Sequence, residues 1–397
     1  MRVLVHDFSG HPFQVELSRE LARRGHRVTH SYCPAWVSGK GRLEAEPGDT
    51  LVIEPVGPSE PIAKDAFVRR VLVEARLGLQ LLGQVRRTKA DVALLSNAQI
   101  PTLVVFSLGM MLLRKPWVLW HQDVYAVAVR AFAGDKLGRG FRLVAALFTI
   151  AERWVSRRAA AVVVIADSFV DVHREWGTDA KTTVIPNWAP LDEIVPVPRR
   201  NAWSGEQGLD EVRTLLYSGT LGLKHNPALL VSLARAVIDG GTPVRLVVVN
   251  EGPAVDVLRA EAERLDVPLT LLPFQPYERL SEVLGSGDVL VVLLEQSAGA
   301  FSVPSKTLSY LCAGRPVLGL MPAENLASQL VASVDGCVLR PEEASIPAAA
   351  DWVRGVLADD EEQARLGKQS RALAEREFAL EGCTDKFETI LRGAVRA

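Results

Sequence analysis

Residues 2–32, RVLVHDFSGHPFQVELSRELARRGHRVTHSY, contain an apolar run, a short polar loop, an amphipathic stretch and a second β-rich run. The apolar run at 2–6 predicts a buried strand, and the pattern at 12–24 predicts a helix that covers one face of a sheet. A strand, a helix and a further strand in this order form the repeating unit of a parallel sheet. The loop holds Ser9, Gly10 and His11, at the carboxyl end of the first strand.

The same alternation of strand and helix patterns continues along the chain and occurs twice. It predicts strands at residues 2–6, 27–32, 91–96, 117–121, 161–165 and 182–185, and then at 212–218, 244–249, 269–272, 289–294 and 316–318. Between the two series, residues 186–210 carry prolines and charges with little periodicity, which is typical of a linker. The predicted fold class is therefore α/β, with two doubly wound Rossmann-like domains facing a central cleft.

The domain boundaries follow from these breaks. We expect an N-terminal domain at 1–188, a linker at 189–211, a C-terminal domain at 212–377, and a final helix at 378–397 that returns to the N-terminal domain.

The 397-residue chain has a net charge of −2, but residues 1–185 hold 25 Lys and Arg against 18 Asp and Glu. A basic half of this kind predicts an anionic partner, such as nucleic acid, an anionic membrane or a phosphorylated ligand.

Three features indicate a reducing compartment and no membrane span. The four cysteines are widely spaced and match no metal-ligand spacing, which is typical of free thiols. The N-terminus reaches Asp7 too early for the apolar region of a signal peptide. The uncharged run at 92–113 is long enough to span a bilayer. However, Asn97, Gln99 and Pro101 lie inside it and predict a strand, a turn and a short helix instead.

Two strand ends of the first domain carry candidate functional residues. His121 and Asp123 follow directly after the apolar strand in PWVLWHQDVY (116–125). Open α/β sheets place their working residues at such positions, and histidine changes its charge near neutral pH. Gly10 would let a ligand approach the backbone at a helix N-terminus, although an ordinary strand-to-helix turn explains it equally well.

The stretch TLLYSGTLGLKHNP (214–227) predicts an anion site in the second domain. A strand ends at Ser218, a tight turn follows at Gly219, and Lys224 precedes a helix start at Asn226 and Pro227. A glycine turn, a lysine and a helix N-terminus together bind anions such as phosphate. The alternative is a capped helix with a solvated lysine.

Two further strand-to-helix turns lie on the same edge of the second domain, in VVVNEGPAVDVL (247–258) and LLPFQPYERLSEVL (271–284). Pro276 favours an extended conformation at Gln275. Gly252, Phe274 and Gln275 are therefore predicted to shape a flat slot for a base.

The stretch GAFSVPSKTLSYLCAGRPVL (299–318) predicts a helix at 304–312 whose apolar residues share one face. The free N–H groups of its first turn would then lie beside Lys306. A diphosphate has the charge to match this helix end together with Lys306 and Lys224. The alternative is a core helix with a solvated lysine.

With these features in this order, the chain resembles the retaining GT-B glycosyltransferases of family 4. Within that family it looks most like the capsule and O-antigen enzymes of the colanic-acid and N-acetylfucosamine transferase type. The matching segments are RELARRGHRV, VIPNW, YSGTLGLKHNP and the most diagnostic pair, PFQPYERLSEVL and VPSKTLSYLCAGRPVL. The resemblance implies that the C-terminal domain binds a nucleoside diphosphate sugar, with UDP as the expected nucleotide, and that the N-terminal domain binds the acceptor.

The patterns and the resemblance together assign roles to individual residues. The predicted catalytic residues are His121, Lys224 and Lys306, and the predicted acceptor-binding residues are Gly10, His11 and Asp123. The predicted donor-binding residues are Gly219, Thr220, Gly252, Phe274, Gln275, Val303, Ser305 and Ser309.

Two departures from the family pattern are visible: Thr220 stands where the wider family has arginine, and Phe301 and Ser309 stand where it has two glutamates. The family's ribose-binding carboxylate is thus missing from the pattern.

A basic amphipathic helix is predicted from Lys136 to Arg158, KLGRGFRLVAALFTIAERWVSRR, with five arginines among aromatic and aliphatic residues. Such a helix can lie on an anionic membrane, and the alternative is a core helix with a solvated basic face. A lipid-linked saccharide acceptor would explain both this helix and the basic first half. We therefore expect a cytoplasmic protein that contacts the inner face of the plasma membrane.

The predicted function is transfer of a hexose or N-acetylhexosamine from a nucleoside diphosphate sugar to a lipid-linked saccharide, in the biosynthesis of a cell-surface polysaccharide. We expect no cofactor, metal or nucleic-acid partner, because lysines can neutralise a diphosphate and no Asp-x-Asp pair occurs. Two alternatives stay open: a soluble glycosyltransferase acting on a small secondary metabolite, and a degenerate, non-catalytic GT-B scaffold. A Rossmann dehydrogenase is disfavoured because no GxGxxG follows the first strand.

Overall fold

The structure, a computed structural model, describes residues 1–10, 12–35, 43, 50–59, 67–125, 139–222, 225–250, 254–299 and 303–396. The chain divides into two units. The first comprises Met1–Trp188 with Leu380–Ala397, and the second comprises Ala189–Ala379. Each unit contains one parallel sheet flanked by helices, which confirms the predicted class of two doubly wound α/β domains.

Within the described residues, the sheet of the first unit has seven parallel strands in the order β3-β2-β1-β4-β5-β6-β7. The strands are β1 (Arg2–Asp7), β2 (Arg27–Tyr32), β3 (Leu51–Pro55), β4 (Val92–Ser96), β5 (Trp117–His121), β6 (Ala161–Val164) and β7 (Thr182–Val184). Since β1 pairs with β2 on one side and β4 on the other, the strand order reverses between β1 and β4. Ligands of open α/β sheets bind beyond the carboxyl ends of the strands at such a point.

The helices of the first unit cover both faces of this sheet. They are α1 (Pro12–Arg23), α2 (Phe67–Arg87), α3 (Ile100–Leu113), α4 (Arg139–Arg158), α5 (Asp167–Trp176) and the C-terminal helix (Leu380–Arg396). Helix α1 packs against the C-terminal helix, and their shared core includes Leu17, Trp120 and Phe387. On the other face, as right-handed crossovers require, α2 packs on α3 and α3 on α4.

The uncharged run at 92–113 forms β4 and α3 rather than one long helix. Within the described ranges, no helix combines the length and the apolar character that crossing a membrane requires.

The described part of the second unit contains a six-stranded parallel sheet in the order β10-β9-β8-β11-β12-β13. Its strands are β8 (Arg213–Ser218), β9 (Val244–Val249), β10 (Leu269–Leu272), β11 (Val289–Leu293), β12 (Val317–Leu320) and β13 (Cys337–Leu339). Its helices are α6 (Ala202–Glu206), α7 (Ala228–Asp239), α8 (Ala254–Arg264), α9 (Leu280–Gly285), α10 (Lys306–Cys312), α11 (Leu326–Ser333), α12 (Ile346–Ala358) and α13 (Asp360–Glu377). The strand order reverses between β8 and β11, which carry the two most distinctive sequence motifs at their carboxyl ends.

Residues 189–211, predicted as a linker, pack within the second unit instead. The backbone N–H of Val195 donates to Ser281 Oγ at 3.1 Å, and Arg199 pairs with the buried Asp288 at 3.0 Å. Asn201 caps α6 through a reciprocal pair of hydrogen bonds with Ser204. The segment also buries Ile194, Trp203 and Leu209, but these residues follow no helix or strand period, so the sequence pattern did not reveal the packing.

Two short strands were not predicted, β3 and β13. Both lie at the edge of a sheet, and the side chains of β13 are only half-buried. Edge strands need fewer apolar residues than central ones, and this makes them hard to recognise from periodicity.

Candidate active site

The turn after β8 is the centre of the candidate site. Gly219 has a φ of +137°, which L-residues rarely adopt, and a Cβ added there would lie 3.1 Å from both Cε and Nζ of Lys306. Lys306 is the first residue of α10, so its side chain crosses to the end of β8 and lies against the turn. Two motifs 87 positions apart in the chain thus meet at one point, around Gly219 and Lys306.

The Lys306 ammonium is held by an aromatic ring. Its Nζ donates a hydrogen bond to the Tyr217 hydroxyl and lies 3.9 Å from the centroid of the Tyr217 ring, in a cation–π contact. The desolvation that accompanies this burial lowers the pKa of Lys306 to about 7. A lysine that is only partly charged near neutral pH gains charge when an anion arrives.

Two tyrosines fix the turn. Tyr217, fully buried, donates from its hydroxyl to the Thr220 carbonyl at 3.0 Å. Tyr310, on α10, donates to the Ser218 carbonyl at 3.1 Å and accepts from the Ser218 N–H at 2.8 Å. Burial raises the pKa of both phenols. Neither tyrosine was predicted from the sequence, although Tyr217 closes β8 and Tyr310 lies four residues after Lys306.

Asn250, directly after β9, also contacts this turn. Its side chain is only 2% exposed, and its Oδ1 accepts a hydrogen bond from the Leu221 N–H at 2.9 Å. The turn at 219–221 is therefore held by Tyr217 on one side and by Asn250 on the other.

The other predicted donor residues occupy different environments. Phe274 is exposed on the segment after β10. The Gln275 side chain accepts from Trp203 Nε1 at 3.0 Å and donates to the Pro273 carbonyl at 2.9 Å, so it braces α6 as well as its own loop. Thr220 and Ser305 are exposed, and Val303 and Ser309 are half-buried. Lys224, Gly252 and Phe301 lie outside the described residues.

At the carboxyl edge of the first sheet, Gly10 has a φ of +72°, and His11 lies outside the described residues. Asp7, fully buried at the end of β1, accepts from the Ser9 N–H at 3.2 Å and from Asn97 Nδ2 at 2.9 Å. These bonds tie the loop after β1 to the end of β4, on either side of the point where the strand order reverses.

His121 ends β5 as predicted, but its side chain is turned into the protein. Its Nε2 lies 2.9 Å from Glu152 Oε1 and its Nδ1 lies 3.1 Å from His173 Nε2. Since both ring nitrogens are engaged, this arrangement does not support a direct contact between the His121 side chain and a sugar. Burial, reinforced by His121 and Lys181, lowers the pKa of His173 to about 3.

Glu152 connects α4 to the loop after β5. The same Oε1 atom that pairs with His121 also accepts from the Tyr125 N–H at 2.9 Å. Glu152 therefore holds His121 and Tyr125, which lie on either side of the exposed Asp123. The sequence gives no sign of this contact, because the charges that follow Glu152 on the helix, such as Arg153 and Arg157, are exposed.

Within the described ranges, no group of three His, Cys, Asp or Glu side chains is arranged to hold a metal ion.

Comparison with known proteins assigns both halves of the chain. Residues 11–188 match the family described as "Glycosyl transferase 4-like domain", and residues 200–373 match "Glycosyl transferases group 1". The chain is 25% identical to WcaI of Escherichia coli (strain K12), named for colanic acid biosynthesis, over 99% of this chain and 100% of that protein. It is 26% identical to the glycosyltransferase WbjE of Pseudomonas aeruginosa, over 72% of this chain and 76% of that one. The crystal structure of Anabaena HepE in complex with UDP shares the fold, with a TM-score of 0.71, 14% identity, and coverage of 99% of this chain and 100% of that one.

Proposed function

Because the chain belongs to the GT-B glycosyltransferases, with a glycosyl transferase 4-like domain followed by a group 1 domain, we propose that it transfers a hexose or N-acetylhexosamine from a UDP-sugar to a lipid-linked saccharide. The reaction would retain the configuration of the sugar and serve the biosynthesis of a cell-surface polysaccharide. The name of the colanic-acid relative supports the pathway class, and the UDP bound to HepE supports the nucleotide.

The observation that carries this proposal is the position of Lys306 against Gly219. The glycine leaves room for the Lys306 side chain, since a Cβ there would lie 3.1 Å from Cε and Nζ of that lysine. The lysine supplies positive charge at the turn. In the proposed reaction, the bond between the anomeric carbon and the diphosphate breaks as an acceptor hydroxyl oxygen bonds to the same face of that carbon. The acceptor proton passes to an oxygen of the leaving diphosphate. The Lys306 ammonium stabilises the charge that develops there.

The donor assignment is tested by calorimetric titration of the protein with UDP, GDP and dTDP. We expect one nucleoside diphosphate to bind more tightly than its nucleoside, because the contacts of Lys306 are with the diphosphate. A protein that binds none of the three, or binds nucleoside and diphosphate equally, would contradict the proposed donor site.

The pH dependence of this affinity gives a second test. Lys306 with a pKa of about 7 is charged below pH 7 and neutral above it, and only the charged form attracts a diphosphate. Affinity should therefore fall roughly tenfold between pH 7 and pH 8.5, where the ligand charge is nearly constant. In the Lys306→Met variant the affinity should be lower and nearly flat over this range. A wild-type affinity that rises with pH would reverse the sign and refute the role of Lys306.

The lipid-linked acceptor is supported by the outer face of α4. Leu143, Leu147 and Ile150, each more than half exposed, follow one another at helical spacing. Arg153 and Arg157 are exposed on the next turns. An apolar stripe beside arginines matches the chemistry of an anionic membrane surface. The aromatic side chains Phe148 and Trp154 of this helix are half-buried, so aliphatic residues form the exposed stripe.

Helix α3, which packs beside α4, also has exposed apolar residues. It exposes Leu108, Met111 and Leu112, the last at 86%. The two helices lie on the same face of the sheet, so their exposed side chains can enter one interface together.

Vesicle sedimentation tests the membrane contact. The wild type is expected to bind vesicles that contain phosphatidylglycerol more tightly than vesicles of phosphatidylcholine alone. The double substitution Leu143→Glu and Leu147→Glu should weaken this binding by at least about tenfold, because burial of each leucine contributes roughly 1.5–3 kcal/mol. Val257→Glu, at an exposed apolar position of α8 in the second unit, is the matched control and should bind like the wild type. Equal loss in both variants, or no loss in the double variant, would favour the soluble glycosyltransferase with a small acceptor.

A further inference from the structure

The side-chain amide of Asn250 forms a hydrogen bond through its oxygen, whereas its nitrogen has no hydrogen-bond partner among the described residues. Asn250 follows β9, its N–H donates to the Leu272 carbonyl at 3.0 Å, and its side chain is only 2% exposed. Oδ1 accepts from the Leu221 N–H at 2.9 Å, whereas Nδ2 has no hydrogen-bond partner among the described residues.

The orientation of this amide is fixed by chemistry. A backbone N–H can only donate, so the atom that contacts Leu221 must be the oxygen, and a flipped amide would place two donors against each other. The unpaired group is therefore an NH₂ with two hydrogens to donate. A buried donor without an acceptor costs free energy.

Asn250, which carries the unpaired NH₂, and Lys306 both contact the turn at 219–221. Gly219 donates from its N–H to the Val249 carbonyl at 3.0 Å, so the turn at 219–221 begins against the end of β9, directly before Asn250. Lys306 lies against Gly219, and Asn250 holds Leu221 two residues later. A charged donor and a neutral donor thus flank one three-residue turn.

We propose that Asn250 is a donor-binding residue whose Nδ2 donates a hydrogen bond to a phosphate oxygen of the nucleoside diphosphate. This inference rests on the proposed function, since it assigns a second contact to the same ligand. Lys306 supplies charge, whereas the amide supplies a directed bond and fixes the turn through its oxygen. Phosphate oxygens accept several such bonds at once.

Two substitutions separate the contact from a purely structural role. Asn250→Asp keeps an oxygen for the Leu221 N–H and removes the NH₂, but adds a negative charge. Asn250→Ala removes both halves of the amide and adds no charge. Each variant is titrated with the nucleoside diphosphate that binds the wild type most tightly among UDP, GDP and dTDP, and with the matching nucleoside. Thermal unfolding reports on the fold.

We expect the affinity of both variants for the diphosphate to fall by about tenfold or more, because a hydrogen bond to a charged group contributes that much. Their affinity for the nucleoside should fall by less than about twofold. Loss in Asn250→Asp alone would identify the added charge as the cause and overturn the inference. Equal loss for diphosphate and nucleoside would also overturn it, since the residue would then shape the fold or the base slot. If the wild type binds no nucleoside diphosphate, the proposed function fails. If the wild type binds and the variants bind equally well, only this inference fails.

Discussion

Replacing Lys306 by methionine is expected to lower kcat for sugar transfer by about 10²- to 10³-fold, the usual effect of removing one group that stabilises developing charge. Methionine keeps the length and the apolar stem, so the packing against Gly219 and the Tyr217 ring can persist. The measurement is steady-state release of nucleoside diphosphate at saturating donor. The fold is checked by thermal unfolding.

Lys368→Met is the matched control for this substitution. Lys368 is exposed on α13 of the same unit, and its replacement should leave kcat within about twofold of the wild type, as expected for a surface position. A Lys306→Met variant that keeps near-normal turnover would show that the charge at the turn does not contribute to the chemistry.

Replacing Gly219 by alanine is expected to lower both stability and donor affinity. The φ of +137° disfavours any L-residue, and the added Cβ would lie 3.1 Å from Cε and Nζ of Lys306. The backbone strain costs roughly 1–3 kcal/mol, and the displaced lysine should weaken diphosphate binding in addition. Denaturant unfolding and calorimetric titration measure the two effects.

Gly355→Ala, in α12 of the same unit, is the comparison for the Gly219 substitution. An added Cβ at Gly355 meets no atom within 4 Å, and alanine in a helix interior should raise the free energy of unfolding by roughly 0.5–1 kcal/mol. If Gly219→Ala proved as stable as Gly355→Ala and bound the donor normally, the strained turn would have no part in the site.

The central strands of both sheets could be predicted because parallel strands buried on both faces are continuous apolar runs. Val289–Leu293 and Val244–Val249 are examples, with nearly every side chain buried. The edge strand Leu51–Pro55 could not be predicted, since only Leu51 in it is buried. The packing of 189–211 was missed because its buried apolar residues, such as Ile194, Trp203 and Leu209, follow no regular period.

The sequence predicted that Lys306 and Lys224 share one anion site, and Lys224 lies outside the described residues. The contact of Lys306 with Gly219 is explained by the neighbouring strands β8 and β11, whose carboxyl ends lie on one edge. The roles of Tyr217, Tyr310 and Asn250 could not be inferred, because single hydrogen bonds between distant residues leave no periodic signal. For His121, the sequence pattern predicted the position but not the direction of the side chain. Its position at a strand end was evident, but the direction of its ring depends on Glu152 and His173, which lie on two other helices.

The central claim, a nucleotide-sugar-dependent transferase whose diphosphate site is formed by the turn after β8 and Lys306, is tested most directly by donor turnover. The protein is incubated with a panel of UDP-, GDP- and dTDP-sugars, and the release of nucleoside diphosphate is measured for the wild type and for Lys306→Met. The wild type is expected to release nucleoside diphosphate from at least one sugar nucleotide, and the variant to do so at a rate lower by about two orders of magnitude. No release from any donor, or equal release by both proteins, would contradict it.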